Sequence, residues 1–350
     1  ERREANIPPS DPPRKGASPL DPILPCFLKR IQIFSIFIRS RGHVELFFTL
    51  VISRTDTPLL WAETRRYIYK GHLVAESSGG GLYNSPDIKI YENNLELTPV
   101  DVNTMISRNK LLMDGIVQNT LETLYKTFNE YKGKKIDVFY VAFSGGKDSL
   151  VLLDLVQRAL PHDEFKVIFS DTTMEVSDTY EAVEVAKQRW NTLEFHTARS
   201  HLDARQSWEL FGPPSRTQRW CCSVHKSAPA ILLLRKLTGN VRLKALVFDG
   251  VRAQESNARS AYSLVSDGDK HLTQINCSPL KDWNTSELYL YILENNLSFN
   301  NAYRYGAIRV GCSICPMASS WWEYIANNVY HNHTYPFIDI LDNNARQKYL

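Results

Sequence analysis

Between an apolar run, Ile136 to Phe143, and a helix-like run, Leu150 to Val156, stand Ser144-Gly145-Gly146-Lys147-Asp148-Ser149. A strand, a tight glycine turn and a helix in that order bring backbone N–H groups and the positive end of a helix dipole to one point, which suits an oxyanion. Ser144 and Ser149 add hydroxyl donors and Lys147 adds a charge for phosphate. The competing interpretation is an ordinary strand-to-helix turn in which Asp148 is only a charge at the helix start. The spacing is not G-x-x-x-x-G-K-[ST], so this is not a Walker A loop.

The alternation continues. Short apolar runs at Phe165 to Asp171, Leu193 to His196 and Ala245 to Gly250 are separated by helical segments. Such a text predicts an α/β fold, a parallel twisted sheet with helices on both faces. A helical pattern at Met105, Leu111, Leu112, Ile116, Leu121, Leu124 and Tyr125 leads into it. Residues 101–350 are therefore expected to form the α/β domain. Seven of the 17 prolines fall before residue 26, so residues 1–22 are expected to be a flexible tail. Residues 23–100 are expected to be an accessory region that turns loop-like at Ser77-Ser78-Gly79-Gly80-Gly81.

With 350 residues, 43% hydrophobic and 23% charged, the chain has length for one large domain or two, and collagen-like, coiled-coil and wholly disordered classes are excluded. A net charge of +3 neither requires nor forbids a nucleic-acid partner. The apolar stretch Ile31 to Ile38 is cut by Arg39 and Arg41, short of the ~20 residues a membrane span needs, so a strand or short buried helix is expected and no membrane partner. Basic residues precede it as in a signal peptide, but the following charges and the missing small-residue cleavage site weigh against that reading. Six cysteines are too few for a disulfide framework, which makes the cytoplasm the expected compartment.

Cys221-Cys222 and Cys312-Ser313-Ile314-Cys315 lie beside Arg219, His225, Lys226 and Arg309. A C-x-x-C pair directs two thiolates to one centre, whereas adjacent cysteines normally point apart, which suits a bulky iron–sulfur cluster better than one tetrahedral zinc. Buried, unliganded cysteines are the alternative.

The loop Ser144 to Ser149 resembles the PP-loop of the ATP pyrophosphatase superfamily, whose members include sulfonucleotide reductases, tRNA thiolation enzymes and DNA phosphorothioation proteins. Its fold is that of the adenine nucleotide alpha hydrolases. Asp171-Thr172-Thr173-Met174-Glu175 with Asp178-Thr179-Tyr180 is similar to the D-T-G-x-E…T-Y segment of these proteins, with Thr173 in place of glycine. Gly250-Val251-Arg252-Ala253-Gln254-Glu255-Ser256-Asn257-Ala258-Arg259 resembles the G-x-R-x-x-E-S-x-x-R element of the phosphoadenosine phosphosulfate (PAPS) reductase family. The four cysteines in their context, Arg219 to Pro229 and Arg309 to Pro316, resemble the 4Fe-4S site of adenylyl-sulfate reductases. The resemblance covers roughly residues 136 to 320. It implies ATP or another adenylyl nucleotide held by Ser144, Gly145, Gly146, Lys147, Asp148, Ser149, Asp171, Gly250, Arg252 and Arg259. It further implies catalytic roles for Lys147, Asp148, Asp171 and Arg252, with Asp148 or Asp171 on Mg²⁺ and Arg252 and Arg259 as anion clamps.

The reductases carry a further E-C-G-[LI]-H segment whose cysteine attacks the sulfate sulfur. No cysteine follows Cys315, and Cys26 and Cys277 do not match that motif. Three readings follow. The first is an ATP pyrophosphatase that adenylylates a nucleic-acid oxygen for sulfur insertion, with DNA the expected acceptor, tRNA the alternative, and a cysteine desulfurase and other modification-complex subunits as partners. Proteins of the DndC and SspD type have this logic. The second is an APS or PAPS reductase whose thiol is contributed by a partner or by a segment beyond Leu350, and the third a non-catalytic nucleotide-sensing subunit. Arg216, Arg219, Trp220, His225 and the pair Trp321-Trp322 are candidates to grip a nucleic acid, or are core and interface anchors.

Overall fold

The computed structural model describes residues 49–51, 60–62, 65–69, 72–92, 102–267 and 273–349. The expected tail at 1–22, the apolar stretch at 31–38 and Cys26 lie outside the described residues. Strands β1 (Thr49–Val51) and β2 (Leu60–Ala62) pair antiparallel, and β3 (Arg66–Tyr69), β4 (His72–Gly79) and β5 (Pro86–Ile90) form an antiparallel meander. The expected loop at Ser77 begins later than the glycine run suggests. Ser77 and Ser78 pair with Ile88 and Asp87, and the chain turns at Gly79 and Gly80, whose φ of +65° and +78° favour glycine.

Helix α1 (Val102–Lys132) leads into the main sheet. The order along the chain is β6 (Val138–Phe143), α2 (Lys147–Ala159), β7 (Phe165–Asp171), α3 (Ser177–Arg189), β8 (Phe195–Arg199) and α4 (Ala204–Phe211). A helix α5 then begins at Trp220–Cys222, passes through a π-helical turn at Ser223–Ser227 and continues as Ala228–Thr238. Strands β9 (Ala245–Phe248), β10 (Val265–Asp267) and β11 (Gln274–Cys277) precede α6 (Thr285–Glu294), α7 (Ser320–Val329) and α8 (His331–Tyr349).

Along β6 the side chains alternate. Phe139, Val141 and Phe143 enter one core with Val167, Phe169, Leu246 and Phe248, beneath α1, α2 and α6. Val138 and Tyr140 enter a second core with Ile168, Val247 and residues Ala230 and Leu234 of α5. Burial on both faces is why these strands read as continuous apolar runs, and it gives the α/β fold with helices on both sides that the alternation predicts. In α2, every residue from Leu150 to Val156 is buried, and each fully buried large apolar side chain contributes roughly 1.5–3 kcal/mol.

The sheet order is β10-β11-β9-β6-β7-β8, parallel except for the edge strand β10. The chain starts at the centre, moves outward through β7 and β8, then returns to the other side of β6 with β9. Between β6 and β9 the connections diverge, and a crevice opens outside the carboxyl ends of the strands. Both glycine-containing turns, 144–146 and 249–250, lie there. Among the described residues no helix is long and apolar enough to cross a membrane.

Arg65, just before β3, and the turn between β4 and β5 touch the far end of the chain. Tyr83 donates to Asp342 Oδ1 at 2.7 Å, Asn327 Nδ2 donates to the Leu82 carbonyl at 2.7 Å, and the Arg65 guanidinium lies 5.2 Å from the Trp321 ring centre.

Candidate functional site

The turn after β6 is held from all sides. Gly145 adopts φ +71°, and a Cβ there would stand 3.1 Å from Thr179 Cγ2 and 3.2 Å from the Thr179 carbonyl, so only glycine fits. The Ser144 N–H donates to Ser149 Oγ at 3.1 Å, and Ser149 Oγ donates to the Gly146 carbonyl at 3.0 Å. The Lys147 N–H donates to the Tyr303 hydroxyl at 3.0 Å, and Asn300 Nδ2 bridges Thr179 Oγ1 and the Gly145 carbonyl. The two serine hydroxyls thus knit the loop as well as facing its cavity.

Asp148 sits between two buried cations. Lys147 Nζ lies 3.1 Å from Oδ2 and Arg252 Nε 2.5 Å from Oδ1. Burial is the largest influence on this carboxyl and pushes its pKa up, but Lys147 and Arg252 together hold it below the ordinary carboxylate range. Arg252 also donates through Nη1 to Gln254 Oε1 at 3.1 Å, Thr285 Oγ1 at 3.1 Å and the Trp283 carbonyl at 3.3 Å. Instead of projecting as an anion clamp, Arg252 braces Asp148 from behind. Gly250 packs directly on that aspartate, and an added Cβ would be 3.0 Å from the Asp148 carbonyl carbon. Because the opposing atom is backbone, Gly250→Ala is expected to lower stability by about 1–3 kcal/mol, measured by urea denaturation. An unchanged midpoint would refute this tight seating of the two turns.

Three cavities meet here. One of about 180 Å³ is lined by Ser144, Gly146, Asp148, Ser149, Arg259 and Arg309, among others. A larger one of about 610 Å³ runs from Ser144 across the sheet face to Gln274 and Asn276. A third of about 400 Å³ is lined by all four candidate cysteines. Arg259 borders the first two, Lys226 and Gly311 the second and third, Arg309 the first and third, and Val310 all three. Arg259 and Arg309 both pair with Glu255, Arg309 Nε at 3.5 Å from Oε1. The cations lining the smallest cavity are these two arginines, while Lys147 lies beneath the loop.

The π-helical turn directly after Cys222 is a local widening of the kind often found at functional sites. Cys221 and Cys222 both line the third cavity despite being neighbours in sequence. The facing loop is stitched to the end of β7. Cys312 bridges Glu175, the Ser313 N–H donates to the Met174 carbonyl at 2.7 Å, and Trp322 Nε1 donates to the Cys312 carbonyl at 3.0 Å. Trp321 and Trp322 are buried in α7, which makes them anchors of this loop and not a nucleic-acid platform. The hydrogen bond with Cys222, followed by burial, pushes the Cys221 thiol up. Burial pushes Cys312 up to about 11 against the lowering influence of Lys226. Lys226 is itself pushed up, first by Cys312, and lies 3.9 Å from Glu175. No three His, Cys, Asp or Glu side chains among the described residues are placed to hold a single metal ion.

Asp171, a candidate metal ligand, accepts from the Thr173 N–H at 2.8 Å and from Tyr180 at 2.9 Å, with Arg199 3.8 Å away. It is not among the residues lining the three cavities. Thr173, which stands where the resembling segment has glycine, adopts φ +60°. A β-branched residue there is strained by about 1–3 kcal/mol. The compensation is local, because its Oγ1 accepts from the Ala204 N–H at 2.7 Å. Thr173→Ala keeps the strain and orphans that donor, so a loss of about 1–3 kcal/mol is expected in thermal or urea unfolding. Wild-type stability in this variant would overturn the assignment.

Glu175, Asn300 and Tyr303 stand within the stretches that resemble the family pattern, but sequence reasoning gave no site role to them or to Asp249. Tyr303 and Asn300 come from residues 300–305, far along the chain, and lock the Ser144–Ser149 turn. Asp249 lines the 610 Å³ cavity, and burial holds its carboxyl above the usual range despite hydrogen bonds from Ser278 and the Val251 N–H. An acidic residue immediately before Gly250 was the only available signal.

A profile of the phosphoadenosine phosphosulfate reductase domain matches residues 139–318. An uncharacterized protein of Methanocaldococcus jannaschii is 30% identical over 231 residues, which are 65% of this chain and 45% of that protein. The chain thus spans less than half of that relative's length. The adenosine 5′-phosphosulfate reductase of Anoxybacillus flavithermus is 27% identical over 209 residues, 58% of this chain and 81% of the reductase. The crystal structure of a phosphoadenylyl-sulfate reductase from Candida auris, in a phosphate complex, covers 63% of this chain and 98% of its own at 18% identity and a TM-score of 0.42. The matched segment, 139–318, opens in β6 and closes just beyond Cys315, so it takes in both turns at the crevice and all four clustered cysteines, and on that match the chain belongs to the phosphoadenosine phosphosulfate reductase domain family.

Proposed function

We propose that this protein binds ATP with its phosphates at the Ser144–Ser149 turn and activates an oxygen of DNA for sulfur incorporation, next to a 4Fe-4S cluster held by Cys221, Cys222, Cys312 and Cys315. In the reaction an acceptor oxygen attacks the α-phosphorus and pyrophosphate leaves. A persulfide supplied by a partner, a cysteine desulfurase by family resemblance, then displaces AMP to give a P–S–S–R bond, and a thiol reductant cleaves its S–S bond to leave sulfur on phosphorus. The observation that carries this reading is the shared wall. Arg309 and Val310 border both the phosphate cavity and the cysteine cavity, so a nucleotide and the four sulfurs would be neighbours.

The donor set fits such a cluster. Four thiols, Cys221, Cys222, Cys312 and Cys315, line one space of about 400 Å³. When bound, the cluster would supply a sulfur-binding or sulfur-transfer site. Arg259, Arg309 and the loop N–H groups would hold phosphate, and Mg²⁺ would neutralise the leaving pyrophosphate. Asp148 would orient the loop through Lys147 and Arg252. Exposed Arg216, Arg219 and Arg309 beside the cysteine loop favour a polyanionic acceptor. Arg216 Nε donates to the Pro316 carbonyl at 3.1 Å.

Sulfonucleotide reduction is the second reading, favoured by the relative's name. It needs a nucleophilic thiol. Among the described residues the one thiol outside the four is Cys277, fully buried in β11 with its pKa pushed up to about 12 by burial. Anaerobically prepared protein incubated with labelled ATP and Mg²⁺ is expected to release pyrophosphate, faster with DNA. Sulfite release from adenylyl sulfate without pyrophosphate release from ATP would replace the first reading with the second.

A further inference from the structure

Residues 306–319, which carry Cys312 and Cys315, form no helix or strand beyond the bridge at Cys312. A loop without repeating hydrogen bonds opens at a cost set by its few ties. Three of these run to the last two helices. Trp321 Nε1 donates to the Gly306 carbonyl at 2.8 Å, Trp322 Nε1 to the Cys312 carbonyl at 3.0 Å, and Ser313 Oγ to the His333 carbonyl at 3.2 Å. Helices α7 and α8 are thus the frame on which the cysteine loop hangs.

That frame is gripped in turn by the accessory strands, which take no part in the proposed chemistry. In the turn between β4 and β5, the Leu82 carbonyl accepts from Asn327 Nδ2 at 2.7 Å, the Leu82 N–H donates to the Glu323 carboxylate, and Tyr83 donates to Asp342 Oδ1 at 2.7 Å. Arg65 donates to Ser77 Oγ at 3.2 Å and to the Gly79 carbonyl at 2.6 Å, and its guanidinium lies 5.2 Å from the ring centre of Trp321. The Leu82 side chain reaches further. It packs on a hydrophobic cluster that includes Met174, Trp208, Ile314 and Phe337, and Trp220 and Cys312 pack on the same cluster. Trp220 directly precedes Cys221, so both cysteine segments and the accessory turn rest on one small core.

We propose that the turn between β4 and β5 is a brace of the cysteine site, and that Leu82 is a positioning residue which keeps the Cys221-Cys222 and Cys312–Cys315 segments around one space. The purpose of this brace rests on the cluster reading above, but its grip on the loop can be followed without iron.

The test is hydrogen exchange of the metal-free full chain, read by mass spectrometry on peptides covering 306–319 and on peptides covering β6. Leu82→Ala is expected to speed exchange in 306–319 at least about tenfold, the equivalent of ~1.4 kcal/mol, and to leave β6 unchanged. Asn327→Ala removes a different tie to the same turn and is expected to act in the same direction. Leu82→Met keeps the apolar bulk and is expected to exchange like the wild type. After anaerobic reconstitution, Leu82→Ala and Asn327→Ala are expected to lose iron to a chelator faster than the wild type while binding AMP equally well. Unchanged exchange at 306–319 in a folded Leu82→Ala variant would overturn the inference, and so would acceleration spread equally to β6. Failure of the wild type to take up iron would sink the cluster reading and leave the exchange result to decide the brace.

Discussion

Replacing Arg252 with methionine is expected to lower the unfolding free energy by about 3–5 kcal/mol, because it removes one member of a buried charge network and leaves the rest in place. The Arg252 side chain is 3% exposed and contacts Asp148, Gln254, Thr285 and the Trp283 carbonyl at once. Methionine fills much of the volume, so the loss comes from unpaired polar groups and not from a cavity. Acid provides a second readout. In the wild type, the folded pKa of Asp148 lies below its unfolded value, so its contribution is present above the ordinary carboxylate range and is lost as pH falls through the folded pKa. Without Arg252 one of the two lowering influences disappears while burial still raises the pKa. The deficit of the variant should therefore be largest at neutral pH and shrink in acid. A loss under 1 kcal/mol, or a deficit constant with pH, would show that Asp148 does not depend on this arginine.

Replacing Cys312 with alanine is expected to abolish uptake of iron and sulfide. Its carbonyl is held by Trp322 Nε1, its backbone bridges Glu175, and its sulfur lies 3.6 Å from the Thr172 hydroxyl. The ligand is thus presented by a fixed scaffold that the substitution leaves intact. Wild-type protein reconstituted anaerobically is expected to gain iron, visible absorption and a Tm higher by roughly 5–10 °C, as for any ligand that binds the folded state alone. The variant should gain none of these while still binding AMP at the proposed Ser144–Ser149 turn, whose cavity shares Arg309 with the cysteine cavity. Wild-type iron content in the variant would remove Cys312 from the set.

Much of this molecule was legible before any coordinates. Strand β6, the turn and α2 follow from local rules, since an apolar run, two glycines and a helical run each state their conformation within a few residues. The cysteine pairs were legible for the same reason. Strand β10 was not, as Val265–Asp267 is short, half exposed and paired only at the sheet edge. Nor was the length of β4, which runs through the serines into the glycine run because cross-strand pairing with β5 overrides local turn preference. Both cases depend on partners distant in sequence.

The same division runs through the site. Sequence alone determined the doubly faced sheet, the anion-suited turn after its first strand, and four thiols of one chemical kind, because periodicity and residue type act locally. Only the tertiary structure decided that Arg252 braces Asp148 from behind while Arg259 and Arg309 line the smaller cavity, that Thr173 takes a glycine's conformation, and that Asp249 lines the 610 Å³ cavity. A charged side chain's role depends on which opposite charge reaches it first, and that is settled by packing between segments a hundred residues apart.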